Sequence, residues 1–202
     1  TNAGAASDAD TCFNIALGDC AGRFLDSGDQ NVILGREAGY TINSGANNIV
    51  LGCKAATSMT SACGNIAFGE CAMGGATATG NNNIVMGQTA GKALTSGHSN
   101  IYMGAGAGET RSTSEINIFM GPNAGNGGTS GNNNIALGMS SGRDVTGNYN
   151  VFFGRYAARY ASSAAHNVMI GANVAKCHTT GDCNIFIGNE AGSHASSSGG
   201  TG

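Results

Sequence analysis

A repeat of about 17 residues runs along nearly the whole chain and constrains its fold more than any other feature. Each repeat carries an asparagine, taken here as position 0, and a glycine four residues later. Eleven repeats in register exclude a chance pattern and indicate one structural unit stacked many times. The asparagines are Asn14, Asn31, Asn48, Asn65, Asn83, Asn100, Asn117, Asn134, Asn150, Asn167 and Asn184, and the glycines are Gly18, Gly35, Gly52, Gly69, Gly87, Gly104, Gly121, Gly138, Gly154, Gly171 and Gly188.

The other positions of the repeat predict the fold class. Position +1 is always Ile or Val, position +3 is always Leu, Met, Phe or Ile, and position +7 is Ala in nine repeats. Such a short apolar run between Asn and Gly predicts a strand. Two or three glycines per repeat would each cost a helix about 1 kcal/mol. We therefore predict an all-β chain: a parallel β-solenoid of eleven coils, forming a rod roughly 50 Å long.

Three segments follow from the extent of the repeat: an N-terminal segment 1–10, a repeat domain 11–192 and a Ser/Gly-rich tail 193–202. The chain has no initiating Met, signal peptide or transmembrane run, so we expect a processed form or a fragment. We also expect subunits to stack end to end, because open solenoid ends invite the addition of another chain.

Two of the repeated positions allow alternative explanations. The glycine at +4 either takes a positive φ or lets a neighbouring coil approach closely. The asparagine at position 0 either forms a ladder of stacked side-chain amides or occupies a left-handed turn. The alanine at +7 fits a tight inner corner.

Position +2 bears most directly on assembly. Taking positions +1 and +3 as the core, we expect +2 to point outwards, since side chains alternate along a strand. Every residue there is nevertheless apolar, and a stripe of that length exceeds what a monomer normally exposes. We predict that it is an interface between copies of the chain; the alternative is a flattened coil with two internal layers. The predicted interface residues are Ile33, Val50, Val85, Tyr102, Phe119, Phe152, Met169 and Phe186.

The repeat resembles a known family. Segments such as 48–52 and 134–138 are similar to the left-handed β-roll repeats in heads of YadA-like trimeric autotransporter adhesins, and to repeats of trimeric phage tail fibres. The resemblance covers residues 11 to 192. It departs in repeat length, which is shorter in the adhesins, and in the cysteines, which those adhesins usually lack. It implies a rod-like homotrimer on the surface of a cell or virion.

The seven cysteines predict disulfides. Positions -2 and +6 both hold cysteine in two repeats, which suggests two equivalent bridges, within a coil or between chains. A third pair lies near the end of the repeats, and Cys53 is left over for exchange or pairing between chains. This pattern favours an oxidising, extracellular setting. Reduced, buried thiols are the alternative, and zinc at Cys177, His178 and Cys183 is a weaker one. The candidate pairs are Cys12 with Cys20, Cys63 with Cys71, and Cys177 with Cys183.

Charge and chemistry narrow the function. Only 10% of residues are charged, and the net charge is -3 with nine Lys and Arg, so we expect no nucleic-acid partner and no membrane insertion. We find no catalytic residues, no metal site and no cofactor site. The chain is not predicted to be an enzyme.

Three functions remain, all consistent with a repetitive rod. The first is a structural subunit of a self-assembling extracellular fibre or filament. The second is an adhesive or receptor-binding head that contacts a cell-surface receptor, for which Tyr40, Tyr156 and Tyr160 could serve. The third is an ice-binding solenoid that uses the Ser/Thr column at -4, although the neighbouring column at -5 is mixed.

Overall fold

The computed structural model describes Gly4 and residues 12–193; the rest of segment 1–10 and the tail beyond residue 193 lie outside the described residues. It contains eleven three-residue strands, each at positions +1 to +3 of a repeat. The strands are β1 (Ile15–Leu17), β2 (Val32–Leu34), β3 (Ile49–Leu51), β4 (Ile66–Phe68), β5 (Ile84–Met86), β6 (Ile101–Met103), β7 (Ile118–Met120), β8 (Ile135–Leu137), β9 (Val151–Phe153), β10 (Val168–Ile170) and β11 (Ile185–Ile187).

The strands form one parallel sheet in the order β1 to β11, so each coil lies beside the next one along the chain. Equivalent positions pair throughout: Tyr102 of β6, for example, is opposite Phe119 of β7. Neighbouring strands of a sheet lie about 4.8 Å apart, which makes the stack roughly 48 Å long. The predicted all-β parallel solenoid is confirmed.

The glycine at +4 is required for both of the reasons considered. Gly104 has φ of 132°, a conformation that side chains disfavour. A Cβ atom there would also lie 2.7 Å from the carbonyl carbon and oxygen of Gly121 in the next coil. The close stacking of coils at this corner therefore depends on glycine.

The asparagines at position 0 form a continuous ladder. The Oδ1 atom of Asn100 accepts a hydrogen bond from the backbone N–H of Asn117 at 3.0 Å and another from its Nδ2 at 3.2 Å. The same pair of bonds joins every successive asparagine from Asn14 to Asn184. None of the eleven has a positive φ; the left-handed residue is the one before it, as at Asn47. The ladder interpretation is therefore confirmed.

The core lies on the opposite face of the strands from the one we expected. Ile33, Val50, Tyr102 and Phe152 at position +2 have no exposed surface within a single chain. The prediction that position +2 forms an intersubunit interface is therefore wrong, because these side chains fill the inside of their own coil. The same holds for Val85, Phe119 and Met169, while Phe186 in the last coil is partly buried against the core.

Alternation along a strand places +2 on the opposite face from +1 and +3 but does not determine which face is buried. The buried face is the one that the segment after the strand packs against. Residues at +7 and +8 pack beneath +2 and are small in most coils: Tyr102 lies over Gly108, and the larger Met73 occurs at +8 in the coil that has the small Ala67 at +2. The alanines at +7, such as Ala107, are fully buried, as predicted.

Candidate functional site

The outward side of the sheet is a candidate interface. Positions +1 and +3 hold only Ile, Val, Leu, Met and Phe in all eleven coils, and none of these side chains is buried within the chain. We call these two columns the apolar face. Its most exposed members are Ile15, Leu17, Ile49, Phe68, Met120, Ile185 and Ile187, with 39% to 71% of their surface accessible.

The size of the apolar face is unusual for a monomer. Two partly exposed side chains in each coil expose on the order of 1,000 Å² in total, whereas the largest apolar patch of a typical monomer covers about 300–600 Å². Specific protein interfaces bury about 800 Å² per partner. The apolar face is therefore large enough for a stable association.

The apolar face contains shallow depressions and carries no charge. One shallow depression of about 320 Å³ is lined by Ile101, Ile118 and Ile135 with their neighbours. Another of about 370 Å³ lies between Phe68 and Met86, above the glycines at +4. The depressions can accept apolar side chains of a partner, and the flat glycine column beside them does not obstruct a close approach.

The prediction from sequence places +1 and +3 in the core and therefore misses the apolar face. A signal that could have found it lies between positions +2 and +8. Position +8 is Gly or Ala in ten of the eleven coils, including those in which +2 is the large Tyr102, Phe119 or Phe152. Where +2 is the small Ala67, position +8 is Met73. Compensating volumes at two positions indicate that they share one core.

The predicted disulfides are not formed within the chain. Positions -2 and +6 lie at opposite ends of a strand, whose extended residues alone separate them by roughly 10 Å. A disulfide needs Cα atoms within about 7 Å. Cys177 and Cys183 are both exposed, and the buried His178 follows Cys177.

Free thiols are found at Cys20, Cys53, Cys63, Cys71, Cys177 and Cys183, and none of them is buried, so the alternative of buried thiols is wrong as well. Pairing between chains stays a prediction.

Two further predicted surfaces are accessible. The Ser/Thr side chains at -4 are exposed from Ser27 to Thr180. Of the three tyrosines, Tyr40 packs edge-on against Phe24 with ring centroids 5.2 Å apart, whereas Tyr156 and Tyr160 lie among arginines in the later coils. Ice binding and adhesion both stay predictions.

One charged side chain is buried in the core. Arg111 donates to the carbonyl oxygens of Gly125 at 2.9 Å and Val145 at 2.6 Å, and also to that of Ser130. Its guanidinium lies 4.9 Å from the centroid of the Phe119 ring. Burial lowers the pKa of Arg111 to about 10, yet the group remains charged at neutral pH. It satisfies main-chain carbonyls and does not contact solvent.

The described residues hold no group of three or more His, Cys, Asp or Glu side chains placed to bind a metal ion. Nor does this part of the chain form a helix of the length and apolarity that crossing a bilayer requires. No protein-family model matches the chain, and comparison with curated proteins and with solved structures returns no match.

Proposed function

We propose that the chain is a structural, non-catalytic subunit of a self-assembling extracellular fibre. The observation that supports this proposal is the apolar face, which a single chain leaves exposed along its whole length. Uncharged side chains at every rung of the stack are suited to burial against another protein surface.

A second copy of the chain is the partner that fits best. It carries the same two columns with the same spacing of about 4.8 Å per coil, so the copies can match rung for rung over the full rod. The resemblance to trimeric adhesins and tail fibres implies three copies around a common axis. Successive subunits would stack end to end, so that the ladder continues from one to the next.

Burial of the apolar face contributes hydrophobic free energy to association in proportion to the apolar area removed from water. Association also costs translational and rotational freedom, and the ordering of side chains such as Met103 and Met120. Charge variants of the apolar face measure the balance of these contributions.

A charge on the apolar face tests the proposal. Phe68 and Met120 are 49% and 39% exposed in the single chain, so Phe68→Asp and Met120→Asp should leave each coil folded. Thr113→Asp puts the same charge on the exposed -4 column of the coil that contains Met120 and serves as the matched control.

We expect the wild type and Thr113→Asp to form multimers in sedimentation equilibrium, and both face variants to be monomers with unchanged circular dichroism. A wild-type protein that is monomeric at all concentrations would overturn the proposal, and so would face variants that assemble normally. Negative-stain microscopy then separates continuous filaments, which the structural role predicts, from short discrete rods, which favour an adhesive head.

A further inference from the structure

A polar cleft runs along the rod on a different side from the apolar face. It has a volume of about 520 Å³ and lies between positions +6 and +9 of the coils that contain β7, β8 and β9. Asn123, Ser140 and Tyr156 form its +6 wall, and Arg143 and Arg159 lie on its +9 wall. A second cleft of about 290 Å³ continues the same two columns into the next coils, where Lys176 and one acid, Glu190, line it. We call the two together the basic cleft.

Positive charge is concentrated here in an otherwise acidic chain. Four of the nine Lys and Arg residues fall between residues 143 and 176, which contain a single acid, so this stretch has a net charge of +3 against -3 for the whole chain. The acid is Asp144, which pairs with Arg143 at 3.1 Å. No carboxylate of the described residues lies within salt-bridge distance of the other three cations, Arg155, Arg159 and Lys176.

These three cations are held in place by an aromatic ring. The guanidinium carbons of Arg155 and Arg159 each lie 4.9 Å from the Tyr156 ring centroid, and the Lys176 ammonium lies 5.8 Å from it. Arg159 also lies 5.2 Å from the centroid of Tyr160. Its Nε is buried without a hydrogen-bond partner. Arg159 and Lys176 line the basic cleft, and Arg155 adjoins it through the Tyr156 ring. Cations that are positioned by a ring and form no salt bridge are suited to bind an external anion.

The neutral side chains of the cleft indicate what else the ligand carries. Asn123 and Ser140 on the +6 wall, and Asn126 on the +9 wall, offer amide and hydroxyl groups, which hydrogen-bond to sugar hydroxyls. Guanidinium groups bind carboxylate and sulfate through paired N–H donors. The cleft is open along the rod and extends over several coils, so it fits an elongated chain. We propose that the basic cleft binds an extended acidic saccharide that bears carboxylate or sulfate groups.

A nucleic acid would use the same cations but needs free aromatic faces on which its bases can stack. Here the ring of Tyr156 is already in contact with three cations, which favours the saccharide. The basic cleft shares no residue with the apolar face, so this inference does not depend on assembly.

Titration calorimetry of the full chain at low salt tests the inference. The probes are heparin, alginate, uncharged dextran and a single-stranded DNA oligonucleotide. The variants are Arg155→Gln with Lys176→Gln, and separately Arg159→Gln. The matched control is Arg23→Gln: Arg23 also occupies position +9 and lies 5.8 Å from the ring centroid of Tyr40, but its own coil and the next contain only one other cation, Arg36. Arg155 is exposed, so its variant keeps the test valid if Arg159→Gln fails to fold.

We expect heparin or alginate to bind the wild type and Arg23→Gln alike, with an affinity that falls as salt is raised. The double variant should lose at least tenfold in affinity. Equal binding of dextran, no binding of either acidic saccharide, or an equal loss in Arg23→Gln would overturn the inference. Tighter binding of the DNA probe would assign the cleft to a phosphate polymer instead.

Discussion

Asn134 donates both its backbone N–H and its side-chain Nδ2 to one oxygen, the Oδ1 atom of Asn117, at 2.9 and 3.2 Å. The same Asn134 side chain then donates to the carbonyl oxygen of Gly147 in the following coil at 2.9 Å. Each asparagine thus links its coil to the coils on both sides. Because the ladder is buried, its polar groups have no access to water as a replacement partner.

Removing one rung of the ladder should be costly. We expect Asn117→Ala to lower the free energy of unfolding by about 3 kcal/mol, because the buried backbone N–H of Asn134 loses its acceptor and its Nδ2 keeps only the bond to Gly147. Urea denaturation followed by circular dichroism measures the change. The exposed Asn43→Ala is the control and should shift stability by no more than about 0.5 kcal/mol. Equal effects of the two changes would show that the ladder does not stabilise the stack.

Substitutions at two glycines of the +4 column allow the cost of backbone strain to be measured separately from the cost of a steric clash. Gly104→Ala should destabilise the chain by more than about 3 kcal/mol, because its Cβ would lie 2.7 Å from the backbone of Gly121. Gly188 has a similar φ of 128° in the last coil, but its Cβ would meet only the Cβ of Ala191, at 3.8 Å.

We therefore expect Gly188→Ala to cost only the strain of the backbone, about 1–2 kcal/mol. Hydrogen exchange of strands β10 and β11 should report this local change, while unfolding of the whole chain reports Gly104→Ala. If both glycines tolerate alanine equally, the close approach of coils at this corner is not what selects glycine.

Adjacent phenylalanines separate the inside of the coil from the outside. Phe152 has no exposed surface, so Phe152→Ala should cost about 3–5 kcal/mol of stability. Phe153 belongs to the apolar face and is only half-buried, so Phe153→Ala should cost the single chain less than Phe152→Ala but weaken self-association. Urea denaturation below the assembly concentration measures the stability of the single chain, and sedimentation measures self-association. The reverse pattern would return the interface to position +2.

Tyr102 carries a buried hydroxyl that makes no hydrogen bond of ordinary geometry within the described residues, with the Asn117 side chain as a polar neighbour. Tyr102→Phe removes this unsatisfied group and keeps the ring, which stacks on Phe119 with centroids 5.3 Å apart. We expect the variant to be about 1 kcal/mol more stable at pH 7. Tyr149→Phe, at a ring that is 56% exposed, should change stability little.

The same variant should alter the response to alkali. Burial raises the pKa of Tyr102 above its ordinary value of 10, so the unfolded state loses the proton first as pH rises. The wild type should then lose stability relative to Tyr102→Phe above about pH 10. Arg111 acts in the opposite direction, since burial lowers its pKa and makes the unfolded state bind more protons above pH 10. Its charge also favours the ionised form of Tyr102, so it offsets part of the loss in the wild type. A constant difference between the two proteins from pH 7 to pH 11 would contradict the prediction.

Much of the fold could be predicted because the relevant interactions are local or repeat at a fixed interval. Each strand lies where Asn and Gly bound an apolar triplet, and the register follows from the spacing of the asparagines. Close packing of successive coils required glycine at +4, as at Gly104. The basic cleft was not predicted, because it combines Ser140, Tyr156 and Arg159 from different coils.

By itself the sequence determined the number of coils, the strand in each and the asparagine column, since each depends on residues at fixed separations along the chain. Only the tertiary structure decided which strand face is buried. Both faces are apolar, and alternation places Phe152 and Phe153 on opposite sides without ranking them. The return of the chain through +7 and +8 encloses position +2 and leaves +1 and +3 outside, because the Gly or Ala residues at most +8 positions, such as Gly108 and Ala158, make room for the inward side chains.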